Sequence, residues 1–120
     1  MAQSVLIVDD EEEIRDLIGL QLEDPDRTFH YAANGVEAID VISRTNIDLV
    51  ISDIAMPKMN GFELLRKIKL LGLNIPVIIL TGHADSMVAN QLRTYSVKSF
   101  INKPWPRAEL EGAVASVLKK

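Results

Sequence analysis

Cysteine is absent from this sequence. That excludes disulfides and thiolate metal sites, and nothing argues for an oxidising compartment. Histidine is scarce: His30 and His83 are the two present, and neither has partner ligands at metal-binding spacing. No apolar run approaches the roughly 18 residues that a membrane helix needs. No basic start leads into an apolar signal region. A soluble, cytoplasmic chain is therefore the expectation. Neither the G-x-x-x-x-G-K nor the G-x-G-x-x-G form of a phosphate loop occurs, which argues against a nucleotide-binding enzyme. Positive charge is also short. Lys and Arg number 13 against 17 Asp and Glu, a net charge of -4. General attraction to nucleic acid phosphates is not expected, so any control of DNA would act through another component. No Gly/Ser linker, low-complexity tract or internal repeat divides the chain. Its 120 residues suffice for one core and are too few for two.

What is present is an alternation of two kinds of segment. Val5-Leu6-Ile7-Val8, Leu49-Val50-Ile51 and Val77-Ile78-Ile79-Leu80 are short, β-branched and continuously apolar. Strands of that type are covered on both faces, as in a parallel sheet. Phe29-His30-Tyr31 and Ser99-Phe100-Ile101 are weaker and suit the sheet edges. Between them lie helical stripes. Ile14, Leu17, Ile18 and Leu22 line a helix beginning near Glu11, with an acidic first turn. Val36, Ile39 and Ile42 follow the Asn34-Gly35 turn, and Leu64, Leu65 and Ile68 follow Asn60-Gly61, with Gly72 placed to end that helix. Met87, Val88 and Leu92 make a modest stripe. Leu110, Ala113, Val114 and Val117 make a strong one, with Pro106 tolerable in its first turn. The order is βα repeated five times, which predicts an α/β fold with a parallel sheet and right-handed crossovers.

Ligands of open α/β sheets sit beyond the carboxyl ends of the strands, where the strand order reverses. The residues at those ends are Asp9-Asp10, Asp53, Thr81-Gly82 and Lys103-Pro104. Taken singly, each has an ordinary use as a cap, a turn residue, a strand end or an exposed lysine. Together they place three carboxylates, a hydroxyl and an ammonium on one edge. Three crowded carboxylates repel unless a cation is present. Oxygen donors without His or Cys suit a hard ion such as Mg²⁺. A carboxylate can act as a nucleophile and form an aspartyl-phosphate, and Lys103 and Thr81 can stabilise the transferred oxygens. Gly82 leaves room and a backbone N–H for a phosphate oxygen.

The sequence resembles the receiver domain of bacterial two-component response regulators, including those of chemotaxis, over essentially its whole length, residues 1–120. The matching pieces are Val8-Asp9-Asp10-Glu11, the run from Asp53 through Met56-Pro57 to Asn60-Gly61, Thr81-Gly82, and Phe100-Ile101-Asn102-Lys103-Pro104. The resemblance implies a flavodoxin-like sheet of order 2-1-3-4-5. It implies that Asp53 is the phosphoacceptor and that Mg²⁺ is held directly by Asp10, by Asp53 and by the Ala55 carbonyl, with Asp9 acting mainly through water. Lys103 would pair with the phosphoryl group, and Thr81 would move to hydrogen-bond it. Phe100 stands at the aromatic switch position and, lacking a hydroxyl, would act by packing. Ala55 and His83 stand where phosphoryl lifetime is tuned. The family often has a cis peptide at the position of Lys103-Pro104.

The implied donor is a phosphohistidine on a sensor histidine kinase or a phosphotransfer protein. The implied output is a face made by the fourth helix, fifth strand and fifth helix, with Gln91, Thr94, Tyr95, Phe100 and Trp105 near it. That face would meet an output domain or target protein, as a monomer or a phosphorylation-dependent dimer. The chain would assist its own phosphorylation and dephosphorylation without being a turnover enzyme. The alternative is a non-phosphorylated interaction module that kept the fold. The sequence stops at Lys119-Lys120, just after the last expected helix, which fits either a single-domain regulator or a piece of a longer one.

Overall fold

The continuously apolar runs become the central strands because each strand has two cores to fill. In a computed structural model of the chain, residues 2–82, 86–95 and 97–118 are described. His83, Lys119 and Lys120 lie outside the described residues, as does the side chain of Met87. The elements are β1 (Gln3–Val8), α1 (Glu12–Gln21), β2 (Arg27–Ala32), α2 (Gly35–Arg44), β3 (Leu49–Ser52), α3 (Gly61–Leu70), β4 (Val77–Thr81), α4 (Ser86–Arg93), β5 (Ser99–Asn102) and α5 (Arg107–Val117). The strands form one sheet in the order β2-β1-β3-β4-β5, with every pairing parallel. This is the expected α/β, flavodoxin-like arrangement. No helix is long and apolar enough to cross a membrane, among the described residues.

Successive strand side chains point to opposite faces. Leu6 and Val8 of β1, Val50 of β3 and Ile79 of β4 join a core with Ala38 and Ile42 of α2 and Leu64, Leu65 and Ile68 of α3. Val5, Ile7, Ile51, Ile78 and Leu80 join the opposite core with Ile18 of α1 and Leu110 and Val114 of α5. The edge strand β2 is only half-buried for most of its length.

Two helices differ from the expected stripes. Leu17 is exposed, and the buried face of α1 is Ile18 and Gly19, with Leu22 just beyond its end. On α2, Val36 is exposed, and Gly35, Ala38 and Ile42 are buried instead. In both, a small residue fills the tight contact that a stripe of large apolar residues suggested. Tyr31 lies directly over Gly19 and would meet any side chain there. The helix starts are well made. Asn34 accepts from the Glu37 N–H at 2.9 Å. Asn60 and Glu63 form a reciprocal capping box. Gly72 takes φ +71° just past α3, the left-handed turn that a glycine allows. Pro106 occupies the N-cap position of α5 rather than its first turn.

Candidate functional site

The backbone ladder runs one residue past β1, β3 and the edge strand β5, and this fixes the side chains that follow. The Asp9 N–H donates to Ala32 O at 3.1 Å, and the Asp53 N–H to Val8 O at 3.0 Å. The Lys103 N–H donates to Thr81 O at 2.9 Å. Asp9, Asp53 and Lys103 are therefore held by sheet-type hydrogen bonds rather than by loop packing.

Their side chains meet. Carboxylate oxygens of Asp9, Asp10 and Asp53 lie within 4.8 Å of one another. The Lys103 ammonium donates to Asp9 Oδ2 at 2.7 Å and to Asp53 Oδ2 at 2.9 Å. Asp53 Oδ1 accepts from the Ile54 N–H at 2.6 Å, and Asp9 Oδ1 from the Glu11 N–H at 2.9 Å. Asp9, Asp53 and Thr81 are buried, and Asp10 is exposed at the mouth. Burial pushes the Asp9 carboxyl above its usual range; Lys103 and the Glu11 N–H oppose that shift without cancelling it. Burial also works to lower the Lys103 pKa, but its hydrogen bonds to Asp9 and Asp53 outweigh this and hold the ammonium above its usual value. The cluster thus carries one ammonium for three carboxyl groups. An oxygen-only set with unbalanced negative charge fits a hard divalent cation.

Ala55 is exposed in the loop leaving β3, two residues beyond Asp53. Phe100 is half-buried against the α2/α3 core, opposite Ile79 in the β4–β5 register. A groove of about 280 Å³ lies beside it, lined also by Leu92 and Val97. Gln91 and Thr94 are exposed and Tyr95 half-buried on the same side. Trp105, whose position before the last helix suits either a packed residue or part of a docking surface, takes the packed placement. It packs in the α1/α5 core and its indole N–H donates to Gln21 Oε1 at 2.8 Å, so it faces α1 and not α4. The Lys103-Pro104 peptide is cis.

Three supports have roles that the local sequence pattern does not show. Arg15 Nη1 donates to the Asp9 carbonyl at 2.7 Å and secures the β1–α1 turn. Ser52 Oγ donates to the Asp53 carbonyl at 2.8 Å. Gly61 lies so close to the Asp53 carbonyl and Ile54 that a Cβ would strike backbone. The signals were present but faint: a polar residue closing an apolar strand, and a glycine opening a helix.

Comparison with known proteins gives the same architecture. The family model for the response regulator receiver domain matches residues 5–115. Sporulation initiation phosphotransferase F of Bacillus subtilis is 31% identical over 98% of this chain and 95% of its own length. The transcriptional regulatory protein GlrR of Escherichia coli is 34% identical over 97% of this chain but only 26% of its own length. The chain thus spans nearly all of the first relative and about a quarter of the second. Among solved structures, a CheY-like receiver domain protein from Methanospirillum hungatei superposes with a TM-score of 0.89 at 28% identity, covering 97% of this chain and 93% of that one. The signal receiver domain of an HD domain-containing protein from Pseudomonas fluorescens superposes with a TM-score of 0.92 at 28% identity, covering 99% and 96%. With motifs, sheet order and acidic pocket in agreement, this chain belongs to the response regulator receiver domain family.

Proposed function

We propose that residues 1–120 act as a phosphoacceptor unit in which Asp53 takes a phosphoryl group from a phosphohistidine on a sensor histidine kinase or histidine phosphotransfer protein. One observation carries this reading: the Lys103 ammonium bridges Asp9 and Asp53 in a pocket whose three carboxylates lie within 4.8 Å. Asp10, Asp53 and the Ala55 carbonyl would hold Mg²⁺ directly, and Asp9 mainly through water. The ion, when bound, supplies positive charge to the phosphoryl oxygens.

The chain's own residues do the rest. An Asp53 carboxylate oxygen forms the new O–P bond as the N–P bond of the donor breaks, and the electron pair leaves with the imidazole. Both Asp53 oxygens are engaged beforehand, Oδ1 by the Ile54 N–H and Oδ2 by Lys103. Lys103 follows the negative charge onto a phosphoryl oxygen, which frees Asp53 Oδ2. The Thr81 hydroxyl and the Gly82 N–H donate to the remaining oxygens. Movement of Thr81 opens space toward β5, and Phe100 fills it by packing. The face formed by α4, β5 and α5 changes, and an output domain or target protein reads that change. One transfer per Asp53 makes this a switch and not a turnover enzyme. A cytoplasmic location accords with a kinase donor and with the absence of cysteine.

Incubation with acetyl phosphate and Mg²⁺, followed by intact mass measurement, tests the reading. The expected result is a gain of one phosphoryl group that disappears in Asp53→Asn and on chelation of the metal. No gain from acetyl phosphate or from a phosphohistidine donor would overturn it.

A further inference from the structure

The large apolar side chains that remain exposed are not scattered. Among the described residues they fall into two patches and one isolated residue, Val36. The first patch is at the end of α3, where Leu70, Leu71 and Leu73 are 70%, 47% and 39% exposed. Beside it is a groove of about 640 Å³ between the end of α3 and the start of β4, reaching Tyr95 and Lys98. This is the amino end of the sheet, opposite the Asp53 pocket. The second patch is on α1 and β2, where Leu17, Leu20 and Tyr31 are 41%, 66% and 45% exposed. Contiguous exposed apolar surface of this kind marks an interaction site.

The two patches carry opposite charge. Lys69 and Lys98 line the groove and no carboxylate does. Neither ammonium has a side-chain partner among the described residues. From residue 64 to 98 the sequence holds Arg66, Lys67, Lys69, Arg93 and Lys98 against Asp85 alone, in a chain of net charge -4. On α1, Glu13, Asp16 and Leu17 and Leu20 are all exposed and follow helical spacing. Asp16 is near enough to Tyr31 to help burial raise the phenol's pKa. The nearby guanidinium groups of Arg15 and Arg27 are occupied with the carbonyls of Asp9 and Leu22.

We infer that the basic, leucine-rimmed groove at the end of α3 receives the acidic outer face of α1 from a second copy of this chain. Leu17 and Leu20 enter beside Leu73, and Glu13 and Asp16 pair with Lys69 and Lys98. The two surfaces are different, so the contact is heterologous. Such a contact leaves one groove and one α1 face free at the ends and adds further copies rather than closing as a dimer. Charge complementarity across a small apolar contact also makes it salt-sensitive.

Sedimentation of the full chain tests this with two double variants, Lys69→Glu with Lys98→Glu, and Glu13→Lys with Asp16→Lys. Wild type is expected to gain average mass with concentration at low salt, past the dimer and without a plateau, and to weaken about tenfold or more at high salt. Each variant alone is expected to stay monomeric. Their equimolar mixture is expected to form a one-to-one pair that grows no further, because one intact groove then meets one intact α1 face. Circular dichroism checks the fold, and Lys69→Glu and Asp16→Lys singly replace any double variant that unfolds. A monomeric wild type, a closed dimer, variants that associate like wild type, or a mixture that stays monomeric would each overturn the proposal.

Discussion

The bodies of the central strands and their carboxyl ends are built on opposite terms. In the bodies, Val5, Leu6, Ile7, Val50, Ile51, Ile78 and Ile79 are almost wholly buried and apolar, and they fill two cores. At the carboxyl ends sit the buried polar side chains. Asp9, Asn34, Ser52, Asp53 and Thr81 all lie at or within two residues of a strand's last position. None of the buried side-chain polar atoms lacks a hydrogen-bond partner, among the described residues. Yet Asp9 is held above its ordinary pKa, so its buried carboxylate opposes folding where the strand bodies drive it, and Lys103 offsets only part of that cost. The difference teaches that stability and chemistry are separated along each strand by one or two residues. The ladder hydrogen bonds that continue to Asp9, Asp53 and Lys103 let the stable part hold the strained part in register.

Substitutions at the two ends should therefore move stability in opposite directions. The largest effect belongs to the strand body. Ile79→Ala empties a fully buried site between the sheet and α3 and should cost about 2–5 kcal/mol in urea unfolding. Acetyl phosphate labelling of the fraction that stays folded should persist. A loss of labelling with little loss of stability would break the separation.

Gly61→Ala lies between the two regimes. Its Cβ would meet the Asp53 carbonyl and the Ile54 Cα, which are backbone and cannot swing aside. A cost of about 1–3 kcal/mol is expected, together with slower labelling, because the loop that carries Asp53 must shift. Unfolding curves and single-turnover labelling of the same preparation would check both.

Asp10→Asn should do the reverse. It removes one of three crowded carboxylates and leaves Lys103 with both of its partners. Without metal the fold should gain on the order of 1 kcal/mol. Added Mg²⁺ is expected to raise the melting temperature of the parent and to leave that of the variant unchanged. A variant less stable than the parent without metal would remove the idea that the crowded carboxylates oppose folding.

The smallest effect is in pH dependence. The folded pKa of Lys103 lies above 10.5, so its contribution is complete below that value and is lost as pH rises through the folded pKa. Lys103→Met should lack that alkaline loss. Asp9 acts in the other sense. Its folded pKa lies above 3.8, so the folded chain takes up this proton first, and acidification through that interval adds stability from this one group. Unfolding free energies measured across pH for the parent, Lys103→Met and Asp9→Asn would show whether the two slopes have these signs.

Much of this could be read without coordinates. Val5 to Val8, Leu49 to Ile51 and Val77 to Leu80 announce doubly covered strands, because burial on both faces requires apolar residues at every position. Asp9-Asp10, Asp53, Thr81 and Lys103 could be grouped in advance because a parallel α/β sheet has one functional edge. Leu17 and Val36 are exposed although both fall within helical stripes, because a stripe is wide and periodicity does not say which margin faces the sheet. Gly19, whose added Cβ would meet the Tyr31 hydroxyl, and the fully buried Ala38 mark the margins that turn inward. Arg15 on the Asp9 carbonyl and Trp105 on Gln21 depend on pairings across elements that no local pattern carries.

The order of segments, their apolar character and the residue types at the strand ends follow from the sequence alone. They are properties of short stretches, and short stretches report their own burial and chemistry. The bridge from one ammonium to two carboxylates was decided only when β1, β3 and β5 took their places, as was the meeting of leucines and lysines into one groove. Those contacts join residues tens of positions apart, and their geometry exists only once the sheet has been assembled.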